Sequence, residues 1–269
     1  GAERTYTVEC MMHDHKALQA GTSHYFGDGF AKAFDITFAG KDNQPHHPHQ
    51  TSWGVSTRMI GGIIMTHGDD NGLVLPPRVA PIQAIVIPVA QHKAGVLDAA
   101  ASLRDRLQAA GVRTKMDESD NSPGWKYAEY EMKGVPLRVE IGPKDMEKEQ
   151  CVIARRDTGE KVFVPLAELE ETVKKLLDAV HDNMYAMALK NREENTFDIT
   201  SPAEAKAVTS GKGGFLRSKW CGSLACELAM KEQAGVSSRC MPLEQSGTEG
   251  VCPVCGKKCT TDIYWGVAY

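Results

Sequence analysis

The chain has 269 residues and contains no run of about eighteen apolar residues, which excludes a membrane-crossing helix of the usual kind. Its opening residues, GAERTYTVECMM, lack a basic stretch leading into an apolar core, so they do not read as a secretory leader. They read as the middle of a strand, and the expectation is a start inside a larger protein. Positive charge is not in excess: 31 Lys and Arg stand against 35 Asp and Glu, for a net charge of −4. That excludes a surface coated for nucleic acid but leaves room for a few placed side chains that read RNA. A zinc-dependent transcription regulator is excluded on the same charge and on the absence of a recognition-helix pattern. Repeats and low-complexity tracts are also missing.

Cysteine is nearly absent from the first 220 residues, where only Cys10 and Cys151 occur. The other six, Cys221, Cys226, Cys240, Cys252, Cys255 and Cys259, crowd into the last fifty. An evenly bridged disulfide scaffold would be shorter and would spread its cysteines. The clustering points to thiols used as metal ligands in a reducing, cytoplasmic compartment.

What is present is an ordinary globular composition, 42% hydrophobic and 25% charged, in three blocks. Residues 1–80 alternate strand-like segments with Gly-rich turns, broken by a polar loop at 39–50. In SHYFGDGFAKAFDI the pattern predicts a strand, a turn and a short helix with Phe30, Ala33 and Phe34 on one face. Residues 81–190 follow prolines 76 and 77 and open with Pro81 and the apolar run IQAIVIPV, suited to a buried strand. A helix over about 94–110, a strand VRTKM, a helix over about 123–133 and the strand PLRVEIG follow. The strands QCVIARR and EKVFVPL pair through DTG, and a long amphipathic helix runs from near Pro165 towards Lys190. This alternation predicts an α/β domain with a mostly parallel or mixed sheet. Residues 191–269 hold the cysteines and predict a small α/β domain whose core a metal supplements.

Two constellations carry chemistry. Cys221 and Cys226 are separated by four residues, and Cys252-Pro-Val-Cys255 is a CxxC knuckle followed by Gly256. Two such pairs roughly 25 to 30 residues apart form the ligand pattern of a tetrahedral, structural Zn site, with free thiols in a vestigial site as the alternative. Cys240 and Cys259 are left over, and Cys259 is a poorer knuckle partner for Cys252. The second constellation is Arg58, which begins the apolar helix RMIGGIIMT behind the capping residues Ser56 and Thr57. A cation at a helix N-terminus opposes the macrodipole. It is explained by an anion held jointly with the helix N–H groups, or by a buried carboxylate partner. Gly61 and Gly62 are suited to the close approach of another backbone.

Several long segments resemble one family. TSWGVSTRMIGGIIMTHGDDNGLVLPPRVAP resembles motif 3 of the class II aminoacyl-tRNA synthetases, specifically of prolyl-tRNA synthetases, and KALQAGTSHYFGDGFAKAF is similar to the active-site segment before it. PGWKYAEYEMKGVPLRVEIGPKD resembles the anticodon-binding domain, and the cysteine-rich tail ending in YWGVAY resembles the zinc-binding extension of the archaeal and eukaryotic-like form. The resemblance covers the whole chain in family order.

It implies part of a class II antiparallel sheet over 1–80, an anticodon-binding domain over 81–190 and a zinc-binding domain over 191–269. It implies that Arg58 holds the γ-phosphate end of ATP, that Gln19 and Thr22 contact the adenosine, and that Ser56 lies near the nucleotide. Thr22, His24, Ser52, Trp53 and Gly54 would wall the proline pocket, with a packing role as the alternative for His24. Arg138, Glu140 and Lys144, at the end of a strand and in the turn after it, would read guanine edges of the tRNA-Pro anticodon; a surface ion-pair cluster is the alternative. The terminal tyrosine would bring its carboxylate near the catalytic domain. ATP with Mg and proline are the implied substrates, and a homodimer the implied assembly. Motif 1 and motif 2, with its α-phosphate arginine, are not recognisable here. Two functions therefore stand: the C-terminal portion of an enzyme that joins proline to its tRNA, or a zinc-stabilised anticodon-binding module without catalysis. In either case the isolated chain is expected not to form prolyl-adenylate, for want of charge stabilisation at the α-phosphorus.

Overall fold

Segments rich in Val, Ile, Thr and aromatic residues become strands where turn residues bound them. The computed structural model describes residues 1–269 as a mixed α/β fold with eight α-helices and five sheets. Residues Gly1–Thr66 and Asn191–Tyr269 form one unit, and His67–Lys190 forms a second.

The first unit begins with β1 (Arg4–Met11), β2 (Ala17–Gly27) and the helix α1 (Gly29–Ala33). The two-residue strands β3 (Phe38–Ala39) and β4 (Pro45–His46) follow, then β5 (Gln50–Val55) and helix α2 (Arg58–His67). β1, β2 and β5 form an antiparallel sheet in that order. The segment expected as a loop carries the short β3–β4 ladder. Asp42 organises its turn, accepting from the Gln44 amide at 3.1 Å and pairing with His46 Nε2 at 2.9 Å. In α1 the expected Phe30–Ala33–Phe34 face is not buried: Ala31 is the buried residue, and the rings of Phe30 and Phe34 stack in the open. A five-residue helix is too short to bury a stripe.

The second unit holds β6 (Ala84–Pro88), α3 (Val96–Ala109), β7 (Thr114–Met116), α4 (Pro123–Met132), β8 (Leu137–Ile141) and α5 (Pro143–Glu147). β9 (Gln150–Arg155), β10 (Lys161–Pro165) and α6 (Leu169–Glu194) complete the order. The sheet runs β10-β9-β8-β6-β7, parallel where β6 meets β7 and β8, antiparallel from β8 outwards. Every residue of β6 is buried, because the strand is covered on both faces. Ala84 and Val86 point to a cluster with Ala100, Leu103 and Leu107 of α3 and Val173 and Leu177 of α6. Ile85 and Ile87 point the other way, to Tyr127 and Tyr130 of α4. α6 buries Leu169, Val173, Leu177, Val180 and Met184, spaced by three or four residues as a single helical face requires. α4 starts where Ser122 Oγ accepts from the Trp125 amide, with Pro123 in its first turn.

The C-terminal stretch of the first unit comprises β11 (Thr196–Asp198), α7 (Pro202–Ser210), β12 (Phe215–Trp220), α8 (Leu224–Ala234) and β13 (Ser237–Cys240). The short β14 (Gly250–Val251) and β15 (Lys258–Cys259) pair together, and β16 (Thr261–Gly266) ends the order. The sheet β11-β12-β16-β13 packs Leu216, Ile263 and Trp265 against Ala205, Met230 and Ala234. α8 stops at Gly235, whose φ of 71° is the left-handed conformation that glycine adopts without strain. The two chain segments of this unit are joined by backbone. The Ala17 amide donates to the Val267 carbonyl at 2.7 Å, and the Tyr269 amide to the Ala17 carbonyl at 3.3 Å.

Candidate functional site

Arg58 stands at the first residue of α2, where its amide donates to Ser56 Oγ at 3.3 Å and the Met59 amide to the Ser56 carbonyl at 3.0 Å. Its guanidinium is exposed, and Nη1 donates to the backbone carbonyl of Gln19 at 3.3 Å. No carboxylate pairs with it, so the buried-partner explanation for this arginine is not met. The cleft beside it, about 560 Å³, is lined by Met12, Leu18, Ser56, Thr57, Arg58, Gly61, Met65 and Tyr269. A cation and two hydroxyls at the positive end of a helix thus share one concavity, a combination suited to an anion. Gly61 opens onto space, and a Cβ at Gly62 would meet only the side chains of Leu18 and Cys10 at ordinary contact distance. The expected approach of another backbone is therefore not seen; the bare surface of α2 is cleft wall.

The expected pocket residues lie side by side on β2 and β5. Thr22 pairs with Gly54, Ser23 with Trp53 and His24 with Ser52. Alternation puts Trp53, 79% exposed, on the face opposite to Ser52 and His24. His24 Nδ1 pairs with Thr5 Oγ1 at 3.0 Å, and its ring stacks on Phe26. Gln19 lies opposite Glu9, its Nε2 donating to Glu9 Oε1 at 3.3 Å. Tyr269 anchors the chain's last residue beside the cleft, its hydroxyl donating to Asp14 Oδ2 at 2.7 Å.

Four cysteines converge elsewhere in the same unit. The thiols of Cys221, Cys226, Cys252 and Cys255 all lie within 4.8 Å of one another. Cys221 follows β12, Cys226 is buried in the first turn of α8, and the other two sit in a tight turn. In that turn the Gly256 amide donates to the Cys252 carbonyl at 2.9 Å, and Gly256 takes a φ of 69°. Sulfur separations of 3.6 Å (Cys221–Cys226) and 3.8 Å (Cys221–Cys255) are observed. Four sulfurs at about 2.3 Å from a tetrahedral ion stand about 3.8 Å apart, so the donor set fits a divalent metal of the zinc type. Burial works against the Cys252 thiolate, but donors from the Cys255, Val254 and Cys221 backbone outweigh it and bring the thiol to about 7. Burial pushes the Cys226 thiol up to about 12, aided by the neighbouring thiols. A bound cation would hold all four as thiolates, and four protein ligands leave no open position for a reacting water. Cys259, on β15, and Cys240, on β13, are outside the converging set.

In the second unit Arg138 and Glu140 are bonded to each other, with Nε donating to Oε1 at 2.9 Å. Glu140 Oε1 also faces Lys161 Nζ at 3.5 Å, and Oε2 accepts from the Tyr127 hydroxyl at 2.9 Å. Arg138 lies 4.0 Å above the Tyr127 ring. Burial, then the Glu140 charge, raise the Tyr127 pKa, so this hydroxyl remains a donor. Both oxygens of Glu140 are thus engaged within the protein. Lys144 stands exposed on α5, the helix that follows β8.

Sequence reasoning missed Lys126. Its side chain, on α4, is 1% exposed. Its Nζ donates to Gln91 Oε1 and to the Asp117 carbonyl, both at 2.9 Å. These partners lie just past β6 and β7, at the carboxyl ends of parallel strands, where ligands collect in open α/β sheets. The signal was the apolar spacing of Tyr127 and Tyr130 around it, which does not reveal which face the lysine joins.

Residues 83–176 match the model of an anticodon-binding domain, and residues 202–269 match the model of the prolyl-tRNA synthetase C-terminal domain. The chain is therefore of the aminoacyl-tRNA synthetase class. It is 55% identical over all 269 residues to a proline--tRNA ligase of Clostridium novyi (strain NT). It is 53% identical to proline--tRNA ligase 2 of Bacillus thuringiensis (strain Al Hakam) and 54% identical to a proline--tRNA ligase of Clostridium botulinum (strain Loch Maree / Type A3), again over the whole chain. In each case it spans 56% of the relative's length. The chain belongs to the prolyl-tRNA synthetase family.

Proposed function

We propose that the chain serves a proline–tRNA ligase, in which proline and ATP react to prolyl-adenylate and the prolyl group passes to tRNA-Pro. The observation that carries this reading is Arg58, an unpaired guanidinium at a helix N-terminus in a cleft, within a chain whose whole length follows proline--tRNA ligases. Arg58 binds the γ-phosphate end of a Mg-bound ATP, Gln19, Thr22 and Ser56 face the rest of the nucleotide, and Thr22, His24, Ser52, Trp53 and Gly54 bound the proline site. Since Trp53 and Ser52 point to opposite faces of β5, Trp53 acts as outer wall rather than as a direct proline contact.

Residues 1–80, 81–190 and 191–269 act as catalytic part, anticodon reader and metal-bearing support. Arg138, Glu140 and Lys144 meet the anticodon, Lys144 as the exposed donor to a guanine O6. Glu140 exchanges its Tyr127 and Arg138 donors for base N–H groups on binding. The metal held by Cys221, Cys226, Cys252 and Cys255 is structural zinc. The enzyme works in the cytoplasm as a homodimer.

Charging of tRNA-Pro by the full-length gene product tests this reading. Proline-specific charging is expected, and its absence refutes it. Binding of the anticodon stem-loop without charging favours the non-catalytic module instead. The isolated 269-residue chain is expected to show no proline-dependent ATP–pyrophosphate exchange.

A further inference from the structure

Two β-bulges in two different sheets bring one ion pair together. In the β1–β2 ladder Val8 faces Gly21 and Glu9 faces Gln19, so Ala20 is skipped. In the β13–β16 ladder Ser238 faces Trp265 and Cys240 faces Tyr264, so Arg239 is skipped. A bulge re-aims side chains out of a sheet's regular alternation. The result is a meeting of residues 230 positions apart: Arg239 Nε and Nη2 donate to Glu9 Oε2 at 3.1 and 2.8 Å. Arg239 Nη1 also donates to Ser237 Oγ at 3.2 Å.

The pair is removed from water, with side-chain exposures of 13% for Arg239 and 4% for Glu9. A buried ion pair is weak evidence for stability, because desolvation offsets the attraction. What it does supply is fixed geometry, and here the geometry leads somewhere. The second oxygen of Glu9 accepts from Gln19 Nε2 at 3.3 Å, and the Gln19 carbonyl accepts from Arg58 Nη1 at 3.3 Å. Gln19 thus links the Arg239–Glu9 pair to Arg58, its side-chain amide bonding Glu9 and its main-chain carbonyl bonding Arg58.

We infer that Arg239 is a positioning residue for the nucleotide side of the cleft: through Glu9 it holds Gln19, and Gln19 holds Arg58. The inference rests on the reading of Gln19 and Arg58 as nucleotide contacts. A simple structural tie between the two chain segments would stabilise both substrates' sites alike; a positioning series acts on ATP alone and acts through Gln19.

The test is ATP–pyrophosphate exchange by the full-length gene product, as wild type, Arg239→Met, Gln19→Leu and the double variant, with metal content measured on each. Arg239→Met is expected to raise KM for ATP about tenfold, the worth of one charge-assisted hydrogen bond, while KM for proline changes less than about twofold. In the Gln19→Leu background the same substitution is expected to change KM for ATP less than about twofold, since its carrier is already gone. If Arg239→Met loses metal or fails to fold, Arg239→Lys, which keeps the charge but loses the fork, should give the same pattern at about threefold. Independent, multiplicative effects of the two substitutions, or KM for ATP and proline rising together, overturn the inference alone. Absence of exchange in the wild type overturns the functional reading and the inference with it.

Discussion

Arg58 Nη1 donates to the backbone carbonyl of Gln19 at 3.3 Å and meets no carboxylate. The guanidinium is therefore tethered by a neutral group while its charge stays uncompensated, at the positive end of a helix. Such an arrangement is unfavourable for the helix alone and becomes favourable when an anion enters. The tether also orients the arginine without neutralising it, as a phosphate site needs.

The four-cysteine cluster should bind one zinc per chain. Cys226→Ser or Cys252→Ser is expected to abolish binding and to loosen the stretch after β12, because the ligands join β12, α8 and the knuckle. Cys240→Ser and Cys259→Ser should leave the stoichiometry unchanged. Metal analysis with thiol titration checks both, and metal loss in Cys259→Ser would place that thiol among the ligands.

Acid should loosen the loop before β14. Hydrogen bonds from Lys219 and then Ser246 hold the Asp262 carboxyl down at about 2, below its ordinary 3.8. Because the folded value is the lower one, the stabilisation is complete above the ordinary value and is lost as pH falls from about 4 towards 2. Denaturant midpoints measured across that window should decline in the wild type. In Asp262→Asn the Asp262 contribution to that decline should vanish, and an unchanged slope would show that Asp262 is not responsible.

Lys126→Ala should destabilise the second unit by about 3 kcal/mol, because it leaves Gln91 Oε1, the Asp117 carbonyl and a nearby carboxylate without their buried donor. Urea unfolding checks this. A loss below about 0.5 kcal/mol would mean that water replaces the ammonium.

How much was legible in the sequence differs between elements for physical reasons. The buried strand Ala84–Pro88 and the helices Val96–Ala109 and Leu169–Glu194 follow from continuous or three-to-four-spaced apolar residues. The cysteine cluster follows from spacing, since a knuckle brings its ligands together locally. Three features depend on where distant segments meet, and no local pattern encodes them: the Glu9–Arg239 pair, the burial of Lys126, and the engagement of both Glu140 oxygens. The short α1 failed as an amphipathic helix because five residues cannot bury a face.

The most direct measurement is proline-dependent ATP–pyrophosphate exchange by the full-length gene product and its Arg58→Ala variant, with the metal content of both confirmed equal. The expected result is exchange in the wild type and a fall of about 10²–10³-fold in the variant, the usual loss when one preorganised donor to developing charge is removed. Exchange that survives Arg58→Ala within about twofold would contradict the assignment of Arg58 to the triphosphate.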